Sequence, residues 1–429
     1  MDRYQKTVKE LLETYMNVLL ITHSFAPLNK VSSLRLTHWV KYWLRSGVSV
    51  TVLTTKKYSF DGELDLPTIE HDLLKIVEID YLPSLSKKEI GNRHQNNTIK
   101  KTKLDNIKRL VRKFRNIIGS LFDIHDLWVP KAIREGVNLS RNESFDMIVS
   151  SYGPSCSHIV ASRVAKYSKV KWLADYRDLW ADNHIGNAVF PFSSIERFIE
   201  NSTVGKYAFK LITISTPLEK TLNHRFSQSV VTVENGFDPE EFNNLNSSYE
   251  VNEFFPGEIN IVYAGTIYPG RRDPSALLHS VARCNYKVHV HFFGPDTEVL
   301  GEMIEKSGCD TAYIHGYRHR EYILNALNQA DILLMLESGS KDADGVLTGK
   351  LFEYFAIGKP ILGAGFDDSV LLGRVIKKSN MGECFINEPK FFTEYLEGFD
   401  PKKYVPNEIY ISQFSRELQA KKVLSLATS

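Results

Sequence analysis

MNVLLITHSFAPLNKVSSLRLTHWVKYWLRSGVSVTVLT, residues 16 to 54, decides the fold. Residues 16–22 open it as an apolar run of strand length. Leu34, Leu36, Trp39, Val40, Trp43 and Leu44 follow at helical spacing, Gly47 stops the helix, and 48–54 is a second, β-branched run. Strand, loop, helix, glycine, strand is a βαβ unit, and strands joined by a helical crossover lie parallel. The alternation continues through strands at 145–150, 170–175, 211–215 and 230–233, with helices at 155–167 and 217–226. A polar stretch, 243–253, reads as a linker. Beyond it a second series places strands at 259–263, 288–293, 311–315, 332–336 and 360–363, with helices at 275–284, 321–329 and 350–357. The expected architecture is α/β: two Rossmann-like, doubly wound domains, 16–245 and 258–405, facing each other across a cleft. A last helical pattern within 406–429 is expected to cross back to the first domain, and 1–15 reads as an amphipathic helical extension before a second possible start at Met16.

Composition narrows the class. The 429 residues are 43% apolar, 24% charged and 11% aromatic, the profile of a globular protein rather than of disorder, collagen or a coiled coil. The net charge of +2 names no nucleic-acid partner. Cys156, Cys284, Cys309 and Cys384 form no CxxC pair, which excludes a disulfide framework and fits a reducing cytoplasm. No apolar run approaches the roughly 20 residues that cross a bilayer, and the polar residues 1–15 are not a signal peptide. The segment 87–122 departs from the rest, with eleven Lys/Arg against Glu89 and Asp105 between 87 and 115, and an apolar face at Ile99, Leu104, Ile107, Leu110, Val111, Phe114, Ile117, Ile118 and Leu121. It is either a helix for an anionic membrane surface or a solvated insertion packed on the first domain.

The chemistry concentrates in the second series. No HExxH, Walker loop, GxSxG elbow or GxGxxG is present, and no Asp-x-Asp pair for a metal-bound nucleotide, tight histidine cluster or metal is expected. Phosphate recognition therefore falls to helix N-termini and Lys/Arg. The strand 259–263 runs into Gly265 and Thr266, where a ligand can approach the backbone, and then into Arg271 and Arg272. A second loop opens a helix at Thr348, Gly349, Lys350 and Leu351, whose N–H groups are expected to face an anion, and Glu353 lies one turn in. Either loop alone is compatible with an ordinary βα turn. Two in one domain, both basic, point to a nucleoside-diphosphate site.

At these residues the chain resembles the GT-B glycosyltransferases, in particular their large family-4 retaining group. The resemblance runs through Gly265-Thr266 and the following arginines, Gly294-Pro295, His315-Gly316-Tyr317, Ala330-Asp331, and the stretch from Gly349 to Pro360. Asn235-Gly236-Phe237-Asp238 is similar to the family's exit from its acceptor half, and Arg177-Asp178-Leu179-Trp180 to a signature of bacterial polysaccharide-building members. The resemblance implies that Glu353 holds the donor ribose, that Lys350 holds the diphosphate, that Arg271 or Arg272 neutralises the leaving group, and that Gly316 and Tyr317 meet the base. The family's other motif glutamate falls at Gly345, so this chain lacks it. In the first domain Ser32 and Ser33 stand where relatives approach the donor phosphate; the plainer reading is a helix cap. Asp175, Arg177 and Asp178 follow a strand's carboxyl end. They are expected either to orient an acceptor or sugar hydroxyl or to form a buried Arg–Asp brace.

The implied activity is transfer of a sugar from a nucleotide-diphosphate donor, UDP-linked by expectation, to a glycan or lipid-linked acceptor of a bacterial surface polysaccharide. Stereochemistry would be retained, with no cofactor beyond the co-substrate. The expected location is cytoplasmic, on the inner face of the plasma membrane if 87–122 binds lipid. Two rivals stand beside it: a sugar-nucleotide epimerase of the same shape, and a silent nucleotide-sugar-binding subunit of a glycan-assembly complex.

Overall fold

The computed structural model describes residues 16–82, 118–121, 123–182, 188–243, 245, 251–268, 270–284, 287–295, 297–339 and 347–428. Residues 1–15, most of the basic segment 87–122 and residues 340–346 with Gly345 lie outside the described residues. The chain divides into two compact units. One runs to Glu234 and takes in Gln419–Ser429; the other is Asn235–Leu418.

The first unit is built on a seven-stranded parallel sheet in the order β3-β2-β1-β4-β5-β6-β7. Its strands are β1 (Asn17–Ile21), β2 (Ser49–Thr55), β3 (Leu74–Ile79), β4 (Met147–Ser151), β5 (Trp172–Tyr176), β6 (Lys210–Thr213) and β7 (Val230–Thr232). The continuous apolar run of β1 has a direct cause. Leu19 and Ile21 enter the core on one face of the sheet, while Val18 and Leu20 enter the core on the other. A parallel strand covered on both sides has no polar alternation. The helix Val31–Arg45 lays Leu36, Trp39, Val40 and Trp43 into the second of these cores. Burying each such side chain contributes about 1.5–3 kcal/mol. The chain's end closes the same core through Ala420, Val423, Leu424, Leu426 and Ala427, and Trp43 donates its indole N–H to the Ala420 carbonyl at 2.9 Å.

The second unit repeats the plan with six parallel strands in the order β10-β9-β8-β11-β12-β13. These are β8 (Ile259–Ala264), β9 (Val288–Phe293), β10 (Ala312–Gly316), β11 (Ile332–Leu336), β12 (Ile361–Ala364) and β13 (Gly382–Phe385). Ile261 and Tyr263 face one core and Val262 the other. In each sheet the first strand sits between two neighbours reached in opposite directions: β1 between β2 and β4, and β8 between β9 and β11. The crevice at the carboxyl end of such a switch point is where doubly wound proteins bind ligands.

Three differences from the sequence reading have physical reasons. β3 was unforeseen because it is an edge strand whose Lys75 and Glu78 meet solvent, leaving a mixed pattern. β13, also at an edge, is only four residues long. The stretch 407–427 is two helices, Glu408–Ser412 and Arg416–Thr428, rather than one. Ser415 leaves the helical path to bridge Phe237, with Phe237 N–H to Phe414 O at 3.1 Å and Arg416 N–H to Phe237 O at 2.9 Å.

Candidate functional site

The switch point of the second unit gathers the residues singled out there. β8 ends at Ala264, and Gly265 turns the chain with a φ of +147°. That φ favours glycine, and a Cβ at this position would lie 2.1 Å from the Lys350 ammonium nitrogen and push it aside. Gly294, after β9, is equally constrained, since its Cβ would lie 2.2 Å from the Gly265 carbonyl oxygen. The backbones after β8 and β9 therefore touch, and Gly294 N–H also donates to Gly316 O at 3.0 Å.

Lys350 reaches this floor from the first turn of the helix Gly349–Ile357, with its nitrogen 4.0 Å from the centre of the Tyr263 ring. The nitrogen is buried and has no hydrogen-bond partner among the described residues. Burial, then the nearby Arg272 guanidinium, pull its pKa from 10.5 down to about 7 against the opposing pull of Glu353 and Glu337. Tyr263 is held by its own hydroxyl, which donates to Thr266 O at 2.9 Å. Arg272 pairs with Glu337, at the end of β11, at 3.1 Å. The structure thus distinguishes the two arginines: Arg272 sets the charge around Lys350, while Arg271 is exposed.

The helix N-terminus is less open than expected. Thr348 caps it, its hydroxyl accepting from Lys350 N–H at 3.2 Å, and Leu351 N–H donates to Thr348 O at 3.2 Å. Two of the four N–H groups expected to face an anion are already used, and the Leu351 side chain is wholly in the core. Glu353 is engaged by Arg320 at 2.7 Å, and Arg320 also reaches Glu241 at 3.4 Å. Tyr317 is 73% exposed beside Gly316, free to offer a ring face.

In the first unit the sequence candidates separate. Asp175, on β5, is fully buried and gripped by Arg35 of the helix Val31–Arg45, with Nη2–Oδ1 at 2.9 Å and Nε–Oδ2 at 3.3 Å. Ser151 donates to the same carboxylate at 2.8 Å, and Arg35 also donates to the carbonyls of Glu234 and Val233 at 2.7 and 2.8 Å. This is a brace, and its arginine is Arg35, not Arg177. Arg177 lies against the turn at Gly153, its guanidinium 3.5 Å from Tyr152 O and 3.4 Å from the half-exposed Asp178. Asp178 is therefore the carboxylate this loop presents outward. Ser32 and Ser33 are buried and are not caps, because the N-cap position is Lys30. His158 packs: Ser150 holds its Nδ1 at 2.7 Å and burial lowers its pKa to about 3.

Two expectations about metals need correction. Asp342-Ala343-Asp344 is an Asp-x-Asp pair, though it lies outside the described residues. A tight histidine cluster also exists: His23, Asp61 and His125 bring one ligand atom each within 4.8 Å of one another. Sequence reading missed it because these residues lie on three separate segments of the chain. It missed Glu337, Arg320 and Tyr263 as partners for the same reason.

No protein-family model and no curated protein matches the chain. Solved structures do. HepE from Anabaena in complex with UDP superimposes with a TM-score of 0.61 at 12% identity, covering 96% of this chain and 100% of the other. The lipopolysaccharide outer core galactosyltransferase WaaB, in its apo form, gives 0.56 at 13% identity over 96% and 99%. UDP-N-acetylglucosamine 2-epimerase gives 0.51 at 12% identity over 95% and 94%. At these identities the likeness establishes the fold, GT-B, with two Rossmann-like domains.

Proposed function

We propose that this chain is a nucleotide-sugar-dependent glycosyltransferase of the family-4 retaining type. The observation that carries the reading is Lys350: a buried ammonium with no hydrogen-bond partner among the described residues, at the β8/β11 switch point beside Arg272. Keeping such a cation buried and unpaired is unfavourable, and a diphosphate oxygen is the ligand that relieves it. The UDP and UDP-sugar complexes of HepE, which shares the fold, favour a uridine nucleotide.

In this reading Lys350 and Arg272 hold the diphosphate, Gly265, Thr266 and Gly349 let it approach the backbone, Glu353 accepts the ribose hydroxyls, and Tyr317 covers the base. Cleavage of the sugar–phosphate bond places negative charge on the departing phosphate, where fixed cations stabilise it; removing one such donor lowers the rate by roughly 10²–10³-fold. The acceptor hydroxyl attacks the face the phosphate leaves, and its proton passes to a phosphate oxygen. The first unit supplies the acceptor side, with Asp178 orienting a hydroxyl. A hexosyl or N-acetylhexosaminyl group moved to a glycan or lipid-linked acceptor of a bacterial surface polysaccharide completes the proposal, with 87–122 as the membrane-facing segment of a cytoplasmic enzyme.

The epimerase of the same fold and the silent binding subunit remain as rivals, the latter because Gly345 replaces a motif glutamate. A thermal-shift screen with UDP, GDP, ADP, CMP and their sugar conjugates tests the shared premise. One diphosphate nucleotide should stabilise the wild type by about 2.7 kcal/mol at a hundredfold excess over Kd, and Glu353→Ala should abolish the shift. No shift with any nucleotide refutes the reading. Epimerised donor without transfer favours the first rival, and binding without turnover on any acceptor the second.

A further inference from the structure

We propose that His23 Nε2, Asp61 Oδ1 and His125 Nε2 in the first unit form a binding site for one divalent transition-metal cation of the zinc class. The three residues come from the end of β1, from the short helix Ser59–Asp61 after β2, and from the short helix Ile124–Trp128. Asp61 Oδ1 lies 3.1 Å from His125 Nε2 and 3.9 Å from His23 Nε2. A metal with ligands at about 2.0–2.1 Å spaces its donor atoms about 3.3 Å apart in tetrahedral geometry. The Asp61–His125 separation already matches that spacing, the Asp61–His23 separation exceeds it by about 0.6 Å, and all three donor atoms lie within 4.8 Å of one another.

The surrounding hydrogen bonds aim these donors inward. His125 Nδ1 is hydrogen-bonded to Asp123 Oδ1, a carboxylate that only accepts, so Nδ1 keeps its proton, while Nε2, hydrogen-bonded to Asp61 Oδ1 at 3.1 Å, is the nitrogen whose proton a metal would displace. His23 Nδ1 is 2.8 Å from Thr55 Oγ1, which leaves its Nε2 turned to Asp61. The other oxygen of Asp61 accepts from Tyr58 N–H at 2.9 Å, fixing the carboxylate. Each ligand is thus oriented through the atom it does not offer to the metal, the arrangement that accompanies metal-bound histidines. His23 and Asp61 are buried and His125 is 18% exposed, so entry is possible from one side.

Two imidazoles and one carboxylate select zinc, iron, cobalt or nickel over magnesium and calcium, which take all-oxygen sets. Three protein ligands leave at least one position for water or an oxygen ligand. Lys57 is the cation beside His23, and its nitrogen is tied to Thr54 Oγ1 at 2.9 Å and to the Thr55 carbonyl at 2.5 Å. The site belongs to the first unit and owes nothing to the diphosphate chemistry of the second, so either proposal can fail alone.

The test uses full-length protein stripped with chelator and titrated with Zn²⁺ by calorimetry and with Co²⁺ by visible absorption. One equivalent per chain is expected. Asp61→Asn and His125→Ala should each weaken binding by more than about 100-fold, and Asp123→Asn by about 10–100-fold. His319→Ala, an exposed histidine of the second unit, should change nothing. The Co²⁺ form of the wild type should show two exchangeable, hyperfine-shifted imidazole N–H signals, a reading that needs no variant to fold. Absence of stoichiometric uptake, unchanged binding in both ligand variants, or fewer than two such signals would overturn the site and leave His125 as an imidazolium shared by Asp61 and Asp123.

Discussion

Lys350→Met removes the charge while keeping most of the side chain, and its consequences can be worked from the site. In the empty protein Lys350 titrates near 7 instead of 10.5, chiefly because it is buried. At 1.4 kcal/mol per pH unit this corresponds to about 5 kcal/mol of burial cost at low pH. The sign follows from proton counting. Between pH 7 and 10.5 the unfolded chain holds this proton and the folded chain does not, so wild-type stability rises with pH across that window. Lys350→Met should therefore be more stable than wild type at pH 7, and its advantage should vanish towards pH 10. A bound diphosphate restores the ammonium. At pH 8 the free site is about one-tenth protonated if it titrates near 7, so binding UDP should take up about 0.9 proton per chain. Calorimetry in buffers of different ionisation enthalpy reads this directly. A hydrogen bond to a charged group contributes about 1.5–3 kcal/mol, so at pH 6 the variant should bind UDP about 10–150-fold more weakly and take up no proton at pH 8. Proton uptake near zero in the wild type, or equal UDP affinity in the two proteins, would refute the assignment of Lys350 to the diphosphate.

Arg35→Met strands the buried Asp175 carboxylate and should lower unfolding free energy by about 3–5 kcal/mol, read from urea melts; a loss below 1 kcal/mol would mean that the pair is not the brace described. Arg272→Ala should reduce sugar transfer by roughly 10²–10³-fold, whereas Arg271→Ala, exposed and apart from Lys350, should stay close to wild type; equal losses would contradict the distinction. Gly265→Ala drives a Cβ into Lys350 and strains a φ of +147°. It should abolish nucleotide binding, and an unimpaired variant would show that the Gly265–Lys350 approach is not needed. Asp178→Asn should lower turnover without moving Tm, because this carboxylate is half exposed and its arginine contact is long.

The strands of both central sheets were legible because parallel strands covered on two faces must be apolar throughout, and such runs stand out in any composition. β9 and β11 fell on their expected residues, 288–293 and 332–336, for that reason. Of the four edge strands β7 and β10 were also placed, while β3 escaped because it carries Lys75 and Glu78 towards solvent and β13 because it is only four residues long. Glycines, arginines and the lysine of the second unit could be recognised as phosphate-binding types from their place after strands. Their partners could not: Glu337 against Arg272, Arg320 against Glu353, and Arg35 against Asp175 are separated by 33 to 140 residues.

Amino-acid order alone therefore determined the α/β class, the parallel sheets and the loops that carry the chemistry, since hydrophobic periodicity and glycine placement act over a few neighbours. Tertiary structure decided which charges are spent and which are free. It buried Asp175 in a brace, left the Lys350 nitrogen without a hydrogen-bond partner among the described residues, and converged His23, Asp61 and His125 from three separate segments of the chain. Coulomb and hydrogen-bond energies depend on distance and burial, and both are set only when strands remote in sequence become neighbours in the sheet.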